Sequence, residues 1–150
     1  MARISNDGDF RTALGSLSTS QQRRVGADFV TRVMYLLDNA RLRNALATAQ
    51  RVEASEDEIR DAQRIARGIA VESYTVCGED GDWRQQAGHF VAAATTACLA
   101  PEGANSRIGW AAAMNARMAK TCSDIANGTS EAHTAAEDQY AILERFLQRP

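Results

Sequence analysis

The sequence predicts an all-α fold, a compact bundle of about six helices, on three observations. Alanine supplies 28 of the 150 residues, whereas proline occurs only at Pro101 and Pro150 and aromatic residues make up 6%. That mixture favours helix and leaves little β-branched or aromatic material for strands. Apolar residues recur with the helical period in every long segment. Two segments open on the reciprocal capping pattern, Ser18-x-x-Gln21 and Ser55-x-x-Glu58, which satisfies the free backbone donors of a first turn.

Residues 1–17 read as a polar lead-in and residues 18–150 as one helical domain, a length that buries roughly two-thirds of the unfolded surface without crosslinks. The first helix is expected from Ser18 to about Asp38. Its apolar residues Val25, Phe29, Val30, Val33, Met34, Leu36 and Leu37 sweep a wide arc, as befits a central helix. A short helix over about Asn39 to Val52 follows, and a third starts at Ser55 with Ile59, Ala62, Ile65, Ala66, Ile69 and Ser73 inward. Cys77-Gly78-Glu79-Asp80-Gly81-Asp82 is expected to end it, with Gly78 as a left-handed stop and Asp82-x-x-Gln85 capping the fourth helix. There Trp83, Ala87, Phe90, Val91, Ala94 and Cys98 share a face, and Ala100-Pro101 closes the helix. The fifth spans roughly Asn105 to Ala126 with Ile108, Ala111, Met114, Met118, Cys122 and Ile125 inward, before Asn127-Gly128. The sixth, about Ser130 to Gln148, buries Ala136, Tyr140, Leu143, Phe146 and Leu147. Ala92-Ala93-Ala94 and Ala111-Ala112-Ala113 allow helices four and five to pack closely.

The formal net charge is −2, too small for general affinity to nucleic acid or membranes by long-range electrostatics. Eleven arginines face nine acids over residues 1–70, and six basic residues face ten acids over 71–150, so the halves differ by sign. Cys77, Cys98 and Cys122 are odd in number and contain no C-x-x-C pair, which argues against a disulfide framework or a zinc site. The amino-terminal residues lack an apolar leader core, and no stretch reaches the ~20 apolar residues of a membrane span. A cytoplasmic, membrane-independent protein without a cofactor is the expectation. The common phosphate-loop, dinucleotide, zinc-protease and serine-hydrolase motifs do not occur.

Four groups of residues stand out. Glu79, Asp80, Asp82, Trp83 and Arg84, with His89 beyond them, put charge beside tryptophan at a helix entrance, a pairing typical of partner-binding surfaces. The same acids lack the spacing and final bidentate glutamate of a calcium loop. His89 is expected on the polar face of its helix, away from Cys98, and His133 lies four residues before Glu137 at ion-pair spacing. Arg60, Arg64 and Arg67 form a basic stripe, extended by Arg23 and Arg24 where the helices meet. It suits phosphates or an acidic partner, although Glu56 and Asp61 offer local neutralisation. Asn115 and Gln139 fall on apolar helix faces, so each needs a hydrogen-bond partner, expected across the helix interface, or else lines a pocket with Tyr140.

Gly109-Trp110-Ala111-Ala112-Ala113 and the closing segment Ala136-Glu137-Asp138-Gln139-Tyr140-Ala141-Ile142-Leu143-Glu144-Arg145-Phe146-Leu147 resemble small Ala-rich helical immunity proteins of bacterial toxin systems, over the last third of the chain. The resemblance implies a protein partner, a toxin that the chain neutralises, and assigns no individual residue. The expected function is therefore non-catalytic protein binding through the Glu79–Arg84 entrance and exposed helix faces. A small-molecule or enzymatic bundle using His89, His133 or the Asn115/Gln139 region is the alternative. A nucleic-acid binder working through the arginine stripe is a further one, disfavoured by the negative net charge.

Overall fold

Asn6, Ser18, Asn39, Ser55 and Asp82 each place a side-chain oxygen on a backbone N–H of the following first turn, and so open five of the seven α-helices among the described residues of the computed structural model. The structure describes residues 3–80, 82–101, 107–130 and 134–148, with the backbone alone for residues 75–80. The elements are α1 (Asp7–Gly15), α2 (Thr19–Thr31), a 3-10 turn (Met34–Leu36), α3 (Ala40–Gln50), α4 (Glu56–Asp80), α5 (Trp83–Cys98), α6 (Ile108–Asn127) and α7 (Ala135–Gln148). No strand occurs among the described residues, as the composition predicts.

Both capping boxes form. Ser18 and Gln21 exchange bonds of 3.1 and 2.9 Å, and Ser55 and Glu58 exchange two of 3.1 Å. Gly128 closes α6 in the left-handed conformation (φ 68°), the conformation that glycine adopts without steric cost.

The structure departs from the sequence reading at three boundaries. Residues 1–17 are not merely a polar lead-in, because α1 turns Phe10 and Leu14 fully inward. The central helix stops at Thr31, whose hydroxyl donates back to the Ala27 carbonyl at 2.8 Å. A 3-10 turn then redirects Met34, Leu36 and Leu37 against the main core. Finally, α4 continues through Gly78 to Asp80 rather than stopping there. An interior glycine costs a helix only about 1 kcal/mol, and no proline follows to enforce a stop. The expected helix start at Asn105 falls among residues 102–106, outside the described residues, and that at Ser130 directly precedes residues 131–133, which are also outside them.

The core has two parts that meet at α2. Ala27 and Val30 face a cluster with Leu42, Leu46, Ile69, Val91 and Leu99. Val25 and Phe29 face a second cluster with Ile4, Phe10, Leu14, Ile142 and Leu143. The α5 and α6 pair packs most extensively, as the alanine clusters foretell. Between Ile108 and Asp124, both buried, the inward face of α6 runs through small residues, Gly109, Ala112, Ala113, Ala116, Ala119, Cys122 and Ser123. Met118 and Ile125, expected inside, stand in solvent at 45% and 49% exposure, because backbones approach through the small-residue face and not the bulky one. Ile65 is likewise displaced outward from the buried row Ile59, Ala62, Ala66 and Ile69. Gly26 marks the closest approach of α2, since a Cβ there would lie 3.1 Å from the Ala112 methyl and 3.3 Å from Cys98 Sγ.

Candidate functional site

The junction of α4 and α5 carries bulky apolar side chains in water. Val71 is 60% exposed, Tyr74 67% and Trp83, the first residue of α5, 44%. Trp83 was expected on the buried face. It stays outside because the inward arc of α5 is filled by Ala87, Gly88, Val91, Ala92, Ala94, Thr95 and Cys98. Asp82 caps the helix by accepting from the Arg84 backbone N–H at 2.9 Å, and Arg84 Nη2 donates to Asn127 Oδ1 at 3.3 Å. Arg84 is thus positioned by the end of α6. Glu79 and Asp80 sit in the last turn of α4, with side chains outside the described residues.

His89 is not solvated on a polar face. It is half-buried between α4 and α5, with its ring 5.5 Å from that of Tyr74 and edge-on to Phe90 at 5.4 Å. Its Nδ1 lies 2.8 Å from the Ala70 carbonyl oxygen. A carbonyl can only accept, so Nδ1 carries a proton and donates it to Ala70. The imidazole thereby ties Tyr74 to the helix pair. Beside this contact, Leu36, Leu37, Ser73, Gln85 and Gly88 line a shallow groove of about 380 Å³. Cys98 is fully buried, and burial pushes its thiol well above the ordinary range, so it offers no thiolate to His89. His133 lies outside the described residues.

The arginine stripe divides in two. Arg64 pairs with Asp61 at 2.9 Å and Arg60 with Asp57, not Glu56, at 2.8 Å. Arg60 and Arg67 line one groove with Arg23 and Arg51. Arg24 turns away, its guanidinium 5.5 Å above the Phe146 ring on the α7 side. Arg51, which joins the cluster from the C-terminus of α3, was invisible to a reading of α4 alone.

Of the two amides, Gln139 crosses the interface as expected. Its Nε2 donates to the Ala113 carbonyl at 2.9 Å and its Oε1 accepts from Arg117 Nε at 2.8 Å. Asn115 does not cross, because its amide donates at 2.9 Å to the Ala111 carbonyl of its own helix. The space beside Tyr140 is filled by a network. Arg117 grips Asp7 through two bonds of 2.9 and 3.1 Å, and the Tyr140 hydroxyl donates to Asp7 at 2.6 Å. This cluster pins α1 to α6 and α7, a structural role, while Gln139 also borders a cleft of about 590 Å³ with Arg32, Lys120, Glu137 and Asp138, which Asn115 does not line. Among the described residues no group of three or more histidine, cysteine or carboxylate side chains could hold a metal ion, and no helix is long and apolar enough to cross a membrane.

No family model, no curated protein and no solved structure matches this chain.

Proposed function

We propose that this chain is a non-catalytic protein-binding domain of the immunity type, which neutralises a partner toxin through the junction of α4 and α5. The observation that carries the reading is the exposure of Tyr74 late in α4 and of Trp83 at the start of α5, where Trp83 stands between Asp82 and Arg84 in the chain. Aromatic anchors next to arginine are the side chains that dominate binding energy at protein interfaces. Contacts within the chain already orient part of this surface: the Tyr74 ring rests against His89, Asp82 caps the helix that Trp83 opens, and the Arg84 guanidinium donates to Asn127. The Ala-rich resemblance of the last third of the chain supplies the class of partner.

The test is co-expression with the protein encoded by the adjacent gene, followed by calorimetry on the purified pair. The chain is expected to suppress that protein's toxicity and to form a stable complex. Tyr74→Ala combined with Trp83→Ala should weaken the complex by at least tenfold, about 1.4 kcal/mol, without lowering thermal stability. Absence of a complex, or a complex indifferent to both substitutions, would overturn the assignment.

A further inference from the structure

A groove between the α3–α4 loop, α4 and the end of α5 combines an apolar floor with a cationic rim. Ile59 and Leu99 are buried at its base, and Ala54 packs against the main core beside them. Around this floor stand Arg23 from α2, Arg51 from the end of α3, and Arg60 and Arg67 from α4, against one carboxylate among the described lining residues, Glu56. The volume of about 640 Å³ falls within the ~300–1,000 Å³ typical of small-molecule sites.

The guanidinium groups of Arg51, Arg60 and Arg67 retain donors for a visitor. Arg51 commits Nη1 to Glu58 at 2.8 Å and Arg60 commits Nη1 to Asp57 at 2.8 Å. Each guanidinium has five N–H donors in a planar fork, so both keep free ones. Arg67 is exposed and makes no ion pair among the described residues.

These features define the occupant. A guanidinium fork matches the paired oxygens of a carboxylate or phosphate, while an apolar floor gains only from hydrocarbon. An inorganic anion would leave the exposed Val52 and Pro101 of the lining facing water, and a neutral hydrophobe would leave the remaining N–H donors of Arg51, Arg60 and Arg67 unused. A nucleic-acid backbone meets Asp57 and Asp61 on the same helix and a chain of net charge −2. We propose that this groove binds an organic anion with an apolar body, a carboxylate or phosphate monoester on a hydrocarbon chain or ring. The site is separate from the α4–α5 junction and does not depend on the role assigned there.

The experiment is calorimetric titration of the full chain with octyl phosphate, octanoate, inorganic phosphate and 1-octanol. One or both amphiphilic anions should bind with 1:1 stoichiometry, and the preferred one names the headgroup. Inorganic phosphate and 1-octanol should bind at least tenfold more weakly. Arg60→Gln combined with Arg67→Gln should lower the anion affinity by about tenfold or more, as expected when charge-assisted bonds are lost, with circular dichroism and melting temperature unchanged. Val52→Asp at the exposed rim should weaken binding in the same way, and Tyr74→Ala should leave it unaltered. The proposal is overturned if neither amphiphile binds, if inorganic phosphate or 1-octanol binds equally well, or if the arginine variant binds as the parent does.

Discussion

Asp7 shows how one side chain can turn an amino-terminal segment into part of the fold. Its carboxylate receives Arg117 and Tyr140 from two other helices, and the Arg117 hydrogen bonds hold its pKa below the ordinary 3.8. A carboxylate whose folded pKa is depressed contributes stability above its unfolded value, and the contribution disappears as pH falls through the folded one. Thermal melts should therefore show a loss of stability below about pH 4 that is smaller in Asp7→Asn, the variant having lost the same increment at neutral pH. An unchanged acid limb in that variant would contradict the linkage. Because Asp7 is about half exposed, the increment is expected to be small. The opposite shift in Tyr140, whose burial and contact with Asp7 raise its pKa, keeps the phenol protonated as the donor in this cluster. Gln139 illustrates the same economy: its amide satisfies a backbone carbonyl and a guanidinium at once, so its place on an apolar face needs no ligand to explain it.

Among the elements, α4 gives the sharpest contrast between local signal and outcome. Its start is legible in Ser55-x-x-Glu58, whose bonds form as read. Its end is not, because Gly78 suits both a left-handed stop and, at modest cost, a helix interior. The two cases predict opposite effects for Gly78→Ala. In a helix that runs to Asp80 the substitution should raise stability by about 0.5–1 kcal/mol, and at a left-handed stop it would lower it. Denaturant titration with far-ultraviolet circular dichroism decides between them. The wheel of α6 held in part, with Ile108 and Cys122 inward as read and Met118 and Ile125 outside. Phasing on the large Met118 and Ile125 shifted the arc, because an interface of closely approaching backbones selects small residues. Gly26 extends that packing to α2, where the nearest atoms are the Ala112 methyl and Cys98 Sγ.

For the molecule as a whole, the two-part core makes α1 structural. Phe10 packs on Phe29 and Tyr140 with ring centroids 5.5 and 5.3 Å apart, so removal of residues 1–17 uncovers the second cluster. The truncated chain should lose several kcal/mol, more than the ~3–5 kcal/mol of a single buried Phe→Ala change, and bind a hydrophobic dye; a melt like that of the full chain would refute the role. The i, i+3, i+4 row Phe10, Ala13, Leu14 and Leu17 was a readable sign of this helix, outweighed by the polar residues around it. By itself the sequence determined the all-α class, most helix starts and the α5–α6 contact, since composition, periodicity and capping act over a few residues of chain. It also marked Trp83 and Arg84 as candidates, because their chemistry is local. Only the tertiary structure decided that Tyr74 stands at the surface against His89, that Arg23 and Arg51 meet Arg60 and Arg67 around one groove, and that Asp7 closes on Arg117. Those meetings depend on which helix faces approach and how closely, and that is set by packing between segments distant in the chain.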